Sequence, residues 1–491
     1  MLYIRMLVTM AISLFTSRVV LQALGEEDFG VYSIVGGVVM LFSFLNTAIT
    51  SATQRFLNFE LGKGNLDEVN RVFSMSMTVH ISISVLLILL GETVGLWFVN
   101  TQLNIPIERM TAANWVYQFS LFTYVIHILR IPYNASIIAY ERMSFYAYIS
   151  ITEAFLKLLG VFLLLYLEWD KLILYGLIIL VVTLTILFIF KVYCIKSFTT
   201  SRYDPFWNVS LYKRLLSFSG WSMFGGLANV GANYGLNVLL NIFWGVTVNA
   251  AMGIANQVSN AVYGFVSNFQ TAFNPQIVKS YASNDHNYLF SLIFQASKFS
   301  YYLLFLLSLP VIINTEFILG KWLTIVPDHT AAFCKLMLVF LLIDAISAPL
   351  WMAVQATGRI RNYQLMIGSL ILLNLPLAYL VLKLRFPPES VLFVRVSINL
   401  LAFFIRISYL KPRINFPVGR YIREVVLLVC LVSIMSIPLP LIVKSYLNDW
   451  AGFLVSTITA LASIGASVYF VGLTKNEKKY LVSLVFRKIK L

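Results

Sequence analysis

The sequence predicts an all-α polytopic membrane protein with about 14 transmembrane helices, arranged as two pseudo-symmetric six-helix bundles plus a C-terminal helix pair. The first observation is composition: 59% of the 491 residues are hydrophobic, 12% are charged and the mean hydropathy is +0.82. A soluble domain carries about a quarter charged residues, so this surface is solvated mostly by lipid. The other two observations are long charge-free runs and an unequal distribution of basic residues.

Long runs of the sequence contain no Asp, Glu, Lys or Arg. Five of them suit a single helix, namely 72–91, 172–190, 362–382, 425–443 and 450–474, and a sixth, 215–278, is long enough for two. A helix of about 20 apolar residues crosses the hydrocarbon core, and lipid cannot satisfy the hydrogen bonds of an open backbone. The runs are too long and too uniform for a transmembrane barrel. The predicted spans are 3–24, 32–54, 73–99, 114–136, 145–167, 172–191, 217–242, 249–273, 291–313, 331–355, 362–382, 390–409, 423–443 and 450–472.

Basic residues concentrate in alternate loops. With the N-terminus inside, the cytoplasmic segments hold 24 of the 36 Lys and Arg residues and the outer segments hold six. This positive-inside pattern predicts a multi-pass membrane protein with both termini cytoplasmic. It also accounts for most of the net charge of +15 without a nucleic-acid partner. The first span has no small-residue cleavage site and is interpreted as a retained helix.

The predicted domain organisation follows from loop length and an internal repeat. The longest loop, a basic linker at 196–216, separates an N-terminal bundle, 1–195, from a second bundle, 217–410, and from a final helix pair with a basic tail, 411–491. Sliding the sequence along itself until Gly25 meets Gly245 also aligns Ile34 with Ile254, Val38 with Val258 and Ala52 with Ala272. An even number of helices per repeat gives both bundles the same orientation, as in transporters that bind substrate between two halves.

Polar stripes run along three predicted spans. They supply the candidate substrate-binding residues Asn46 and Thr50 in the second span, Asn229, Asn233 and Asn237 in the seventh, and Asn256, Asn260 and Gln270 in the eighth. A single buried Asn or Gln is more simply explained as interhelical hydrogen bonding. The stripes taken together favour a water-filled cavity, because they exceed what packing requires.

Ionisable residues inside spans are expensive and therefore informative. Arg18 lies one helical turn before Gln22, on the same face, where it either snorkels to the outer surface or binds substrate. Asp344 lies mid-span and needs a partner or a cavity, which makes it a coupling candidate. Arg130, before Ile131 and Pro132, is a second coupling candidate.

Two further charged groups in spans are interpreted as structural. Glu153 and Lys157 are four residues apart on one helix and are expected to neutralise each other. Arg395 is interpreted as a structural or interfacial residue, and Arg406 is assigned to a cytoplasmic basic segment.

The chain shows no Walker loop and no metal-spaced His/Cys cluster, and its three cysteines form no motif. A transporter without a cofactor or metal is expected, not an enzyme.

Several segments together resemble a known family. They are LGEEDFGVYSIVGGVV, LFSFLNTAITSATQRFLNFELGKG, IPYNASIIAYERMSFYAYISI, FNPQIVKSYA and WMAVQATGRIRNYQ, which occur in order over nearly the whole chain. The sequence resembles the polysaccharide-biosynthesis flippases, including O-antigen flippases, of the multidrug/oligosaccharidyl-lipid/polysaccharide exporter superfamily.

The resemblance implies alternating-access transfer of undecaprenyl-diphosphate-linked oligosaccharide from the inner to the outer leaflet of the bacterial inner membrane. Membrane lipid, a polysaccharide polymerase and glycosyltransferases are the other partners that it suggests. The related lipid II flippases use cavity arginines on helices 1, 2 and 8. In this sequence helix 1 offers Arg18, and the inner end of helix 2 offers Arg55. The eighth span has no internal arginine and offers only Lys279, just past Pro275.

Three alternatives stay open. A multidrug antiporter of the same fold predicts an acidic cavity, whereas this sequence offers Arg18 and few buried acids. A lipid II flippase is the second. A non-transporting scaffold that organises glycosyltransferases is the third, and it has no need for the polar stripes.

Overall fold

The structure, a computed structural model, describes residues 2–40, 43–103, 105–323, 326–447, 449–475 and 477–478. Within these ranges every regular element is helical. Short 3₁₀ turns cover Ile107–Arg109 and Thr199–Ser201. The long helices are α1 (Leu2–Met40), α2 (Ser43–Gly62), α3 (Leu66–Thr101), α4 (Met110–Ala139), α5 (Met143–Tyr166), α6 (Lys171–Ser197), α7 (Val209–Trp244), α8 (Val246–Ala282), α9 (His286–Ile313), α10 (Thr315–Trp322), α11 (Thr330–Ala356), α12 (Arg361–Lys383), α13 (Ser390–Ile414), α14 (Val418–Tyr446) and α15 (Asp449–Gly472).

Ten helices within the described ranges are long and apolar enough to cross a membrane, so the chain is a multi-pass membrane protein. They are α3 to α6, α9 and α11 to α15. Four predicted spans are not among the ten: 3–24 and 32–54 in the region of α1 and α2, and 217–242 and 249–273 in α7 and α8. In α7 and α8 the asparagines that form the stripes lower the mean hydropathy. Residues 41–42, within the predicted span 32–54, lie outside the described residues. The all-α class is confirmed.

The chain divides into two compact units. The N-terminal unit comprises Met1–Leu227 and Val278–Asn284, and the C-terminal unit comprises Ala228–Ile277 and Asp285–Leu491. The last residues of α8 thus group with the N-terminal unit. These units describe packing, and the predicted domain boundaries at 195, 217 and 410 stay predictions.

Each unit has its own apolar core. In the N-terminal unit, Val35 of α1, Tyr117 of α4 and Leu172 of α6 are fully buried in one cluster. In the C-terminal unit, Leu240 of α7 and Phe333 of α11 belong to a second cluster. Because lipid tails are as apolar as these side chains, such clusters stabilise the bundle through close van der Waals packing.

The backbone supports the predicted internal repeat. Gly25, which kinks α1, has φ +78°, and its repeat partner Gly245, between α7 and α8, has φ +80°. The left-handed region accommodates glycine without steric cost, so a glycine at both positions has a structural reason.

The repeat also extends beyond the aligned identities. Gly64 and Asn284, which pair in the same register, both have positive φ, at 74° and 59°. The residue that follows each one caps the next helix: Asn65 accepts from the Glu68 N–H at 3.2 Å, and Asp285 accepts from the Tyr288 N–H at 3.0 Å. The turns after α2 and α8 are therefore built alike.

A buried ion pair fixes the end of the described chain to the C-terminal unit. Lys298 of α9 is 2% exposed, and its Nζ lies 3.0 Å from both carboxylate oxygens of Glu477. Tyr302, one turn further along α9, donates to the carbonyl of Gly472 at 3.4 Å. Since a lysine in an apolar helix is costly without a counter-charge, this pair explains how α9 tolerates it.

The predicted topology leads to a labelling experiment. Glu108 is exposed before α4 on the predicted outer side, and the Lys63 side chain is 47% exposed after α2 on the predicted cytoplasmic side. In a Cys430→Ser background, which removes the exposed native cysteine, an impermeant maleimide should label Glu108→Cys in intact cells. Lys63→Cys should react only after the cells are permeabilised. The reverse pattern would refute cytoplasmic termini.

Candidate functional site

A polar cavity inside the C-terminal unit is formed by four helices. Its lining residues are Asn229, Ala232, Asn233 and Leu236 of α7, Phe340 and Asp344 of α11, Ile371 and Asn374 of α12, and Arg395, Ile398, Asn399, Ala402 and Arg406 of α13. It offers about 50 Å³ of space for water-sized molecules. Ordered water needs at least about 10–15 Å³ of such space per molecule, so the cavity has room for a few waters or one small ion.

The helical repeat explains why these residues meet. Asn229 and Asn233 are one turn apart on α7, and Phe340 and Asp344 are one turn apart on α11. Residues four and eleven positions apart lie within a sector of about 40° on an α-helix. Arg395, Asn399 and Arg406 have this spacing on α13 and therefore present one polar face to the cavity.

The two arginines of the cavity have neutral partners. Arg406 is buried, at 9% exposure, and its Nε donates to the Tyr363 hydroxyl at 2.9 Å. The Arg395 guanidinium lies 4.3 Å from the centre of the Phe340 ring, and its Nη1 lies 3.7 Å from the Met337 sulfur.

Asp344 is the acidic group of this cavity. Its carboxylate accepts a long hydrogen bond of 3.5 Å from the Tyr263 hydroxyl of α8, and the charges of both Arg406 and Arg395 act on it. The lining therefore holds two basic side chains and one acidic side chain. The expectation that Asp344 needs a cavity or a partner is confirmed.

Two further asparagines, Asn399 and Asn374, line the cavity. Asn399 is buried, and its Nδ2 donates to the carbonyl of Phe340 at 3.2 Å. Asn374 donates to the carbonyl of Ile371 at 2.8 Å, and its buried Oδ1 has no hydrogen-bond partner among the residues that the structure describes. These groups are held firmly and keep further hydrogen-bonding capacity.

Most of the polar stripe on α8 lies elsewhere. Gln270 is buried, and its Nε2 donates to Ser300 Oγ at 3.3 Å and to the Ala345 carbonyl at 3.4 Å. These are the interhelical bonds of the packing interpretation. Asn256 is half-buried and Asn260 is exposed. Their roles as substrate ligands, and those of Gln270 and Asn237, stay predictions.

A second cavity, inside the N-terminal unit, has about 440 Å³ of space for water-sized molecules. Its lining residues come from α1, α5 and α6: Thr9, Ile12, Ser13, Thr16, Val20, Phe29, Tyr32, Ser150, Glu153, Ala154, Lys157, Tyr175 and Ile179. The expected pair is confirmed, because Lys157 Nζ lies 2.8 Å from Glu153 Oε1. Arg130 of α4 joins it, with its Nη1 2.8 Å from Glu153 Oε2. This cluster also holds two basic side chains and one acidic side chain.

The other predicted basic ligands are packed against the protein. Arg55 is 5% exposed and lies 4.7 Å and 4.5 Å from the ring centres of Phe56 and Phe59. Lys279 forms an ion pair with Glu141. A phosphate at Lys279 would therefore have to replace this carboxylate.

Four further residues belong to the predicted substrate site: Arg18, Gln22, Asn46 and Thr50. Gln22 is exposed and Thr50 is half-buried. The side chains of Arg18 and Asn46 lie outside the described residues. Their roles stay predictions.

The end of α8 packs closely on α2 within the N-terminal unit. A Cβ atom at Gly62 would lie 2.6 Å from the Lys279 carbonyl oxygen and 2.7 Å from its Cα. We expect Gly62→Ala to lower the free energy of unfolding by about 1–3 kcal/mol, because backbone atoms cannot move aside cheaply. Thermal melting of the purified chain measures this. Gly220→Ala is the matched control, since a Cβ there meets nothing within 4 Å. Equal melting temperatures for the two variants would contradict the close approach.

Sequence reasoning misses Arg395, Arg406, Asn374 and Asn399 as members of a site. It assigns Arg406 to the cytoplasmic basic set and Arg395 to a structural role, whereas both line the cavity. For three of these four residues, the signal that could have identified them is the single face of α13 formed by Arg395, Asn399 and Arg406. Among the residues described, no group of three or more His, Cys, Asp or Glu side chains is placed to hold a metal ion.

The sequence matches no family model and no curated protein, but solved structures resemble it. An outward-facing multidrug resistance MATE family transporter of the MOP superfamily superposes with a TM-score of 0.71 at 14% identity, covering 84% of this chain and 94% of that chain. A MOP superfamily transporter from Pyrococcus furiosus, whose binding pocket of reverse polarity suggests a different function, gives 0.67 at 13% identity over 84% and 94%. The MATE transporter ClbM in complex with Rb⁺ gives 0.66 at 15% identity over 82% and 92%. The chain therefore has the fold of MATE transporters of the MOP superfamily.

Proposed function

We propose that the protein is a flippase that moves undecaprenyl-diphosphate-linked oligosaccharide units from the inner to the outer leaflet of the bacterial inner membrane. It would act by alternating access in the synthesis of O-antigen, capsule or exopolysaccharide. One observation carries the proposal: in each unit a polar cluster among the helices holds two basic side chains and one acidic side chain. The clusters are Arg395 and Arg406 with Asp344, and Arg130 and Lys157 with Glu153.

The chemistry of such a substrate agrees with these polar groups. A diphosphate is anionic, and arginine binds phosphate through parallel charge-assisted hydrogen bonds. Sugar hydroxyls both donate and accept, as do Asn and Gln side chains. The polyprenyl tail needs no polar site, because it can stay in the bilayer.

The proposed ligands fall into two groups. Arg18 and Arg55, with Gln22 beside Arg18, are proposed for the diphosphate, and Lys279 is proposed to exchange Glu141 for phosphate. The stripe residues are proposed for the sugars: Asn46, Thr50, Asn229, Asn233, Asn237, Asn256, Asn260 and Gln270. Asp344 and Arg130 are proposed to couple transport to an ion or to the membrane potential.

A multidrug antiporter is the second candidate, favoured by Asp344, whose carboxylate could attract an organic cation. A cation in the C-terminal cavity would, however, face two arginines at close range. Like charges in a site of low dielectric repel strongly. The charge balance therefore favours an anionic substrate over a cationic one.

Deletion of the gene tests the proposal. Cells that lack the protein should accumulate an undecaprenyl-diphosphate-linked oligosaccharide on the cytoplasmic side, and the wild-type gene should clear it. Accumulated lipid II would favour the lipid II flippase instead. No accumulated intermediate, with surface polysaccharide lost, would favour the glycosyltransferase scaffold.

A further inference from the structure

We infer that the cavity of the C-terminal unit binds one small anionic group, attracted by Arg395 and Arg406. This site is separate from the proposed diphosphate ligands Arg18 and Arg55, which belong to the N-terminal unit. The proposal concerns a site within one unit and goes beyond the proposed flippase activity.

The partners of the two guanidiniums provide the first argument. Arg395 contacts an aromatic ring and a thioether, and Arg406 contacts a phenol hydroxyl. Neither guanidinium forms an ion pair within the part of the chain that the structure describes. An intramembrane arginine ordinarily pairs with an acidic group or faces water. Both guanidiniums line the same cavity, so an anion in that cavity would be attracted by both of them.

The second argument is the position of Asp344. The carboxylate lines the same cavity and is influenced by both arginines, and among the described residues it accepts only a long hydrogen bond, from Tyr263. An anion bound between the arginines would compete with this carboxylate for their charge. Asp344 therefore sets the affinity of the site and keeps it weak enough for release.

Size and lining limit the ligand. In this conformation the space of about 50 Å³ admits a chloride ion or one phosphate-sized group but not a whole oligosaccharide. The guanidiniums are the charged donors of the lining, and Asn399 Nδ2, which donates one N–H to the carbonyl of Phe340, keeps a second. The ligand is thus either a free inorganic anion or the terminal phosphate of a polyprenyl diphosphate, and both present the same chemistry to the arginines.

Anion-dependent thermal melting of the full chain in nanodiscs tests the inference. Sodium chloride, sodium phosphate and a polyprenyl diphosphate are titrated separately, with sodium gluconate keeping the ionic strength constant. Bound ligand raises the melting temperature in a saturable manner. We expect Arg395→Gln to weaken binding by about tenfold or more, because a charge-assisted hydrogen bond is lost. Arg413→Gln, on the same helix but exposed, is the matched control and should bind like wild type.

Asp344→Asn is expected to change the affinity for the anion in the opposite direction. It keeps the inference testable even if Arg395→Gln does not fold. Removing the competing carboxylate should tighten anion binding by about tenfold. A saturable effect of chloride or phosphate identifies a free anion, and an effect of the polyprenyl diphosphate alone identifies a headgroup. No saturable effect of any of the three ligands overturns the inference. Weaker binding by Asp344→Asn also overturns it, because that is the behaviour of a cation site.

Failure of this test leaves the flippase proposal standing, since that proposal is decided by the accumulated lipid intermediate. Conversely, an anion effect would persist in a protein that carries some other substrate. The two claims can therefore fail separately.

Discussion

Transport should fall by about 5- to 150-fold in Asp344→Asn, while the amount of protein in the membrane stays normal. The range corresponds to a coupling free energy of about 1–3 kcal/mol between two sites. The physical reason is the charge balance of the C-terminal cavity, where Asp344 offsets one of two arginines. Without the carboxylate the arginines hold their counter-anion too tightly, and the transport cycle stalls.

Each variant is expressed in a deletion strain, where surface polysaccharide and the amount of the protein in the membrane are measured side by side. Asp67→Asn is the matched control, because Asp67 is exposed in the first turn of α3. Full complementation by Asp344→Asn would remove this residue from the mechanism.

The second large effect is expected at Arg18. If its guanidinium binds the diphosphate, Arg18→Ala should abolish flipping and Arg18→Lys should keep only part of it, because a lysine cannot form the bidentate contact. The loss of one charged hydrogen-bonding group corresponds to about a 10- to 150-fold change in affinity. An arginine that merely snorkels to the interface would tolerate lysine almost fully.

The Arg18 variants are compared with Arg71→Ala, which removes an exposed arginine paired with Glu68 at 2.9 Å. Membrane levels of all variants should match wild type, because insertion does not require Arg18. Normal polysaccharide from Arg18→Ala, or an Arg18→Lys variant indistinguishable from wild type, would contradict the assignment.

Spacing along a single helix predicts one of the ion pairs. The Glu153–Lys157 pair follows from four-residue separation on one helix, and the structure confirms it at 2.8 Å. Arg130 could not be placed in the same cluster from the sequence, because its contact depends on how α4 packs against α5. The same limit applies to Lys279 and Glu141, which are 138 residues apart.

The C-terminal cavity shows a different limit. Polar patterns within spans identify Asn229, Asn233 and Asp344, and all three line the cavity. The same patterns miss Arg406, because a basic residue near the end of a span is also the ordinary topology signal. Only the packing of α13 against α7 and α11 distinguishes a cavity arginine from a cytoplasmic one.

Flipping by the purified protein tests the central claim most directly, namely that the chain carries an anionic lipid-linked oligosaccharide and not a cation. Proteoliposomes containing an undecaprenyl-diphosphate-linked oligosaccharide are treated with an impermeant glycosidase, and the protected fraction is followed over time. We predict that wild-type protein exposes the protected fraction faster than protein-free vesicles and faster than Arg18→Ala vesicles, and that the same vesicles do not transport ethidium. Ethidium transport together with an unchanged protected fraction would contradict the account and support the multidrug antiporter.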